Sequence, residues 1–116
     1  MTKQTSLIKQ IRAFNQLRDW EKFHTPKNLS MALAGEVGEL VSHFQWLNEK
    51  ESFLDSQPQK LAEVKEEIAD VYLYLLMLSD SLGIDLNEAA EAKLEMNKVN
   101  YPVAKSKGNA KKYTEL

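Results

Sequence analysis

No cysteine occurs in the 116 residues, and histidine occurs only as His24 and His43. Soft-metal chemistry therefore has almost no ligands to draw on, and the lack of thiols accords with a reducing cytoplasm. Glycine, at four residues, and proline, at three, are too scarce to interrupt many helices. Long apolar runs are absent too: the most apolar stretch, Ile68 to Leu78, is broken by Asp70 and is far too short to span a bilayer. Met1 to Ile11 lacks the apolar core and small-residue cleavage site of a secretory signal, so a soluble cytoplasmic chain with no membrane partner is expected. Excess charge of one sign is also missing. A formal net charge of -2 supplies no broad attraction for a polyanion, which argues against a nucleic-acid polymer as partner.

What is present is the composition of an ordinary globular domain, 43% apolar and 28% charged. Leu7, Ile11, Phe14 and Leu17 recur at helical spacing, predicting a first helix over Leu7 to Arg18 capped by Thr5 or Ser6. Residues Asp19 to Pro26 interleave aromatic and polar side chains and read as a connector. Thr25 before Pro26 is an N-cap followed by proline at the first helical position, and the helix it starts is predicted to reach Leu47. Asn48 to Pro58 is turn-rich. A third helix is predicted from Pro58 or Gln59 to Leu82, stopped by Gly83, and a fourth from Asp85 towards Asn100, with Asp85 and Glu88 placed as a capping box. The expected architecture is all-α, a four-helix bundle occupying residues 1–100, complete in one chain or completed by a second copy. Residues 101–116 form a basic tail, with Lys105, Lys107, Lys111 and Lys112 against Glu115, expected to be irregular when unliganded and suited to cover a triphosphate.

Two acidic motifs stand out, Glu36-Val37-Gly38-Glu39 and Glu67-Ile68-Ala69-Asp70. Residues three apart on a helix share a face, so each motif points two carboxylates the same way. Both lie within apolar stripes, Leu29, Leu33, Leu40 and Leu47 beside the first and Leu61, Val64, Val71, Leu75 and Leu78 beside the second. If those stripes pack together, four carboxylates meet near a core, which requires a neutralising partner. An all-oxygen donor set suits a hard divalent cation, Mg²⁺, Mn²⁺ or Ca²⁺. Exposed charges on helix shoulders are the competing explanation. A di-iron carboxylate site needs Glu-x-x-His, and neither histidine follows a glutamate at that spacing.

Gly35 and Gly38 each weaken the second helix and call for a reason, either approach of a ligand beside the acids or tight packing of another helix. Trp46, ten residues after Glu36, and Trp20 in the connector are candidate walls for a stacked base, against the simpler expectation of core or interface roles. Tyr74 follows Asp70 by one turn and can offer its hydroxyl to the same ligand. Lys93 and Asn97 share a face of the fourth helix, where plain surface polarity is the alternative.

The order Glu-x-x-Glu, then Glu-x-x-Asp, resembles the signature of the MazG-like all-α nucleoside triphosphate pyrophosphohydrolases. Arg18 to His24, Gly35 to Leu40, Phe44-Gln45-Trp46, Lys93 with Asn97, Tyr101-Pro102-Val103 and Lys112-Tyr113-Thr114 are similar to the dCTP pyrophosphatase branch. The resemblance implies Mg²⁺-dependent hydrolysis of a nucleoside triphosphate, dCTP or a related cytosine nucleotide, to the monophosphate and pyrophosphate. It implies that Glu36, Glu39, Glu67 and Asp70 hold metal, that Lys93 and Asn97 contact phosphates, and that Trp20, Trp46 and Tyr74 enclose the nucleoside. Homo-oligomers, dimers or tetramers, are implied as well. One departure bears on base preference: some members of the branch carry a histidine in the first helix where Ile11 stands. A non-catalytic helical interaction module with a structural cation is the rival class.

Overall fold

A computed structural model of the chain describes residues 2–116. Its regular elements are all helical: α1 (Lys3–Leu17), α2 (Pro26–Ser42), α3 (Pro58–Ser81), α4 (Leu86–Asn100) and the single turn α5 (Val103–Ser106), with 3-10 turns at Glu21–Phe23, Glu51–Phe53 and Tyr113–Glu115. The all-α class and the four long helices agree with the periodicity. The Thr25 cap forms as expected, and of the Asp85–Glu88 capping box the Asp85 half forms. Thr25 accepts the Asn28 N–H at 3.2 Å ahead of Pro26, and Asp85 accepts the Glu88 N–H at 3.0 Å.

Two helix ends differ from expectation. α1 begins at Lys3 because Thr2, not Thr5 or Ser6, is the cap, accepting the Thr5 N–H at 3.0 Å. α2 ends at Ser42 rather than Leu47. Beyond it the N–H groups of His43, Phe44 and Leu47 bond three residues back, at 3.2, 2.9 and 3.0 Å, which tightens the chain into turns. Asn48 and Glu51 then exchange side-chain-to-backbone hydrogen bonds of 2.8 and 2.9 Å, fixing the next turn. This turn delivers Leu54, a non-glycine residue at φ 58°, into the core at 4% exposure, so burial holds a backbone conformation that leucine otherwise avoids.

α2 and α3 pack against one another along their length, and Leu29 of α2 with Val64 and Leu76 of α3 fill the contact. α1 meets α3 more sparsely. Arg12 of α1 forms a two-pronged pair with Asp80 of α3, Nε donating to Oδ2 at 2.8 Å and Nη2 meeting Oδ1. Asn15, in the last turn of α1, is buried and donates from Nδ2 to the thioether of Met77 at 3.4 Å. These contacts hold one end of α1 on α3.

Backbone contacts group the chain up to Gly83, which takes φ 68° to stop α3, into one compact unit, and Ile84–Leu116 into a second. The second unit joins α4 to the tail. That tail, expected to be irregular, forms α5 behind Pro102 and brings the Tyr101 and Tyr113 rings edge to face at 6.0 Å. Among the described residues no helix is long and apolar enough to cross a membrane.

Candidate functional site

The packing of α2 on α3 brings the two acidic motifs together. One carboxylate oxygen each from Glu36, Glu67 and Asp70 lies within 4.8 Å of the others. Glu36 Oε2 and Glu67 Oε2 are both buried and accept no hydrogen bond from the described residues. Buried, unpaired carboxylate oxygens are costly in the bare chain. Their cost shows in the acidity of the groups. Burial, then hydrogen bonding to Glu39, then the charges of Glu39, Asp70 and Glu67 push the Glu36 carboxyl up to about 7. Burial likewise raises Glu67, reinforced by the charge of Glu39, hydrogen bonding to it and the charge of Asp70, while His43 opposes the rise. Glu39, outside the three-oxygen cluster, therefore acts on both half-buried members.

The donor set fits a hard divalent cation. It is all oxygen, it is anionic, and two of its three residues carry a buried oxygen without a partner that a cation could supply. Around it the helix surface is left open. A Cβ added to Gly35 or Gly38 would meet nothing within 4 Å, so packing by another helix of the first unit does not explain either glycine. Gly38→Ala is consequently expected to stabilise the fold by about 0.5–1 kcal/mol through helix propensity alone, read as a higher urea midpoint at unchanged m-value. His43, four residues after Glu39, turns to α3 instead, with its ring nitrogens 3.9 and 4.0 Å from Glu63 and Glu67.

Asp70 also lies on the wall of a cavity of about 390 Å³ between α1 and α3, within the size range of small-molecule sites. Trp20 and Tyr74 line it, as does Phe14, whose ring meets Trp20 edge-on at 5.7 Å. A carboxylate cluster and an aromatic-walled cavity thus share Asp70, so one ligand can reach the first with anionic groups through a cation and the second with a flat ring.

One expected residue of the first unit, Trp46, is not brought to this cavity. It is 87% exposed, because α2 stops at Ser42 and the following turns carry the indole off the helix face. Lys93 and Asn97 stand one turn apart on α4, in the second unit, Asn97 half-buried and Lys93 exposed. Conversely, Asn15, His24 and Met77 line the cavity without having been singled out for it. Asn15 carried a signal: it falls four residues after Ile11, on the apolar stripe of α1, where a polar side chain is out of place.

The MazG-like family model matches residues 32–116. The chain is 46% identical to dCTP pyrophosphatase 1 of Rattus norvegicus and 42% identical to that of Homo sapiens, each over 100 residues covering 85% of this chain. The match spans 59% of the length of those relatives. Among solved structures, a pyrophosphatase from Archaeoglobus fulgidus superposes with a TM-score of 0.81 at 39% identity, covering 88% of this chain and 94% of that one.

Proposed function

The chain belongs to the MazG-like family, and from that premise we propose that it hydrolyses a nucleoside triphosphate, dCTP or a related cytosine nucleotide, to the monophosphate and pyrophosphate. One observation carries the reading: the oxygens of Glu36, Glu67 and Asp70 converge, two of the three residues holding unpartnered buried oxygens, beside an aromatic cavity that shares Asp70. Relatives named dCTP pyrophosphatase support the choice of base.

In this reading Glu36, Glu39, Glu67 and Asp70 hold Mg²⁺, with Mn²⁺ as a substitute. A cation held by these residues would supply positive charge to offset that of the triphosphate and that developing at the α-phosphorus during in-line attack by water. Glu36 or Glu39 accepts the proton of the attacking water. Trp20 and Tyr74 enclose the nucleoside, and we assign phosphate contacts to Lys93 and Asn97. Trp46 enters the site as a wall completed by a second copy of the chain. Apolar exposure supports such an assembly, since Leu17, Trp46 and Phe53 are 84%, 87% and 76% exposed. A homodimer or homotetramer in the cytoplasm is the state we infer.

The test is incubation of the purified protein with Mg²⁺ and a panel of nucleotides, followed by separation of products. Monophosphate plus pyrophosphate, fastest from dCTP, is expected. Diphosphate plus orthophosphate would point to a different phosphohydrolase, and no product from any nucleotide would favour a non-catalytic helical module with a structural cation.

A further inference from the structure

We propose that Asn15 reads the exocyclic amino group of the cytosine ring, accepting its N–H at Oδ1 inside the cavity between α1 and α3. The inference rests on the hydrolysis reading and deepens it by naming the residue that selects the base.

Asn15 is 8% exposed and lines the cavity, and its backbone carbonyl accepts the N–H groups of Arg18 and Trp20 at 3.2 and 3.0 Å, which fixes the residue at the end of α1. Its side-chain amide is less well served. Nδ2 donates to the Met77 thioether at 3.4 Å, and Oδ1 accepts no hydrogen bond from the described residues. A thioether accepts hydrogen bonds and does not donate them, so Met77 favours the amide orientation in which nitrogen faces sulfur. The atom left for a ligand is then an oxygen, an acceptor.

An acceptor at this place matches the 4-amino group of cytosine and opposes the 4-keto oxygen of uracil or thymine. The other polar groups nearby do not make that choice. Ile11, one turn before Asn15, lines the same cavity without a hydrogen-bonding group, and Gln10, also on the lining, donates from Nε2 to Ser6 at 3.4 Å and is exposed, so water competes for its amide oxygen. His24 Nδ1 is buried and unpartnered on the same wall, a second polar atom awaiting a ligand, and either tautomer of imidazole can serve it.

Position along α3 agrees with a nucleotide. Met77, against which Asn15 rests, lies seven residues beyond Asp70, about 10 Å along the helix at 1.5 Å per residue. That is the scale of the separation between a 5′ phosphate and the far edge of its base. With the phosphates at the acids, the base edge falls at Asn15.

The experiment compares kcat/KM for dCTP, dUTP and the 2-pyrimidinone deoxynucleoside triphosphate, which lacks the 4-amino group, on the full chain with Mg²⁺. The wild type is expected to use the deaminated analogue and dUTP about ten- to a hundredfold less well than dCTP, as for the loss of one buried hydrogen bond. Asn15→Leu, which keeps the branched shape and removes the acceptor, is expected to bring the three substrates to within a few-fold of one another. Met77→Leu keeps the core volume but frees the amide to turn over, and is expected to raise dUTP use relative to dCTP. A dCTP preference unchanged in both variants, or a wild type indifferent to the missing amino group, overturns the assignment to Asn15 and leaves the hydrolysis reading standing. Absence of turnover on every triphosphate overturns the hydrolysis reading itself.

Discussion

Glu39→Gln and Asp70→Asn are expected to lower turnover by about a hundred- to a thousandfold, the scale seen when one preorganised electrostatic partner is removed from a reacting centre, while the helical CD signal stays unchanged. Both substitutions keep side-chain shape and delete one negative charge. The folded chain does not need that charge. Glu36 and Glu67 are raised first by burial and then by their anionic neighbours, so neutralising Glu39 or Asp70 relieves the repulsive part of that cost. The metal-free variants should therefore melt at or above the wild-type temperature even as activity collapses. Residues that weaken the fold and are kept for chemistry behave in this way. A structural role for the acids gives the opposite pattern, loss of stability with activity falling in proportion. Titrating Mg²⁺ separates the contributions further: a variant that mainly loses cation affinity regains part of its rate at high Mg²⁺, and one that loses the proton acceptor does not. Retained activity in both variants would remove the four carboxylates from the mechanism.

The acids were legible in the sequence because two independent periodicities agreed on them. The three-residue spacing aligned each pair, and the leucine and valine stripes dictated which faces of α2 and α3 would meet. Caps were legible for a similar reason, since Thr25 with Pro26, and Asp85 with Glu88, act within one turn and need no tertiary partner. Features set by distant contacts were not. α2 appeared to continue to Leu47 because residues 43–47 are compatible with helix, and only the exchange between Asn48 and Glu51 and the burial of Leu54 show why the chain turns earlier. Trp46 was placed with that longer helix and left the cavity with its loss. The cavity itself depends on how sparsely α1 meets α3, a distance that no local pattern encodes. Asn15 and Met77 therefore gained meaning only when sixty-two positions of separation closed to 3.4 Å.

Stability of the metal-free chain should fall as pH rises, and added Mg²⁺ should reverse the trend. Glu36 titrates near 7 in the folded chain against an ordinary 4.5, and Glu67 is raised in the same direction. Between about 4.5 and 7 the folded state thus holds more protons than the unfolded state. Linkage then requires that unfolding becomes easier with increasing pH across this window and levels off above it. Asp80 runs the other way, since its hydrogen bond to Arg12 holds its carboxyl below 3.8, but that contribution is lost only under more acidic conditions and does not enter the window. A cation binds the ionised carboxylates, so its binding releases protons and strengthens as pH rises. At a hundred times its Kd it adds about 2.7 kcal/mol to the folded state, a shift of several degrees in Tm for a domain of this size. Melting scans at pH 5 and pH 8, each with EDTA and with excess Mg²⁺, should show the EDTA samples less stable at pH 8 and the Mg²⁺ increment larger there. Calorimetry in buffers of different ionisation enthalpy should register proton release on Mg²⁺ binding near pH 6.5. Glu36→Gln should flatten the EDTA profile, because it removes the most strongly raised group. A metal-free Tm that climbs from pH 5 to pH 8, or an Mg²⁺ increment equal at both, would mean that the carboxylates of α2 and α3 do not share one cation.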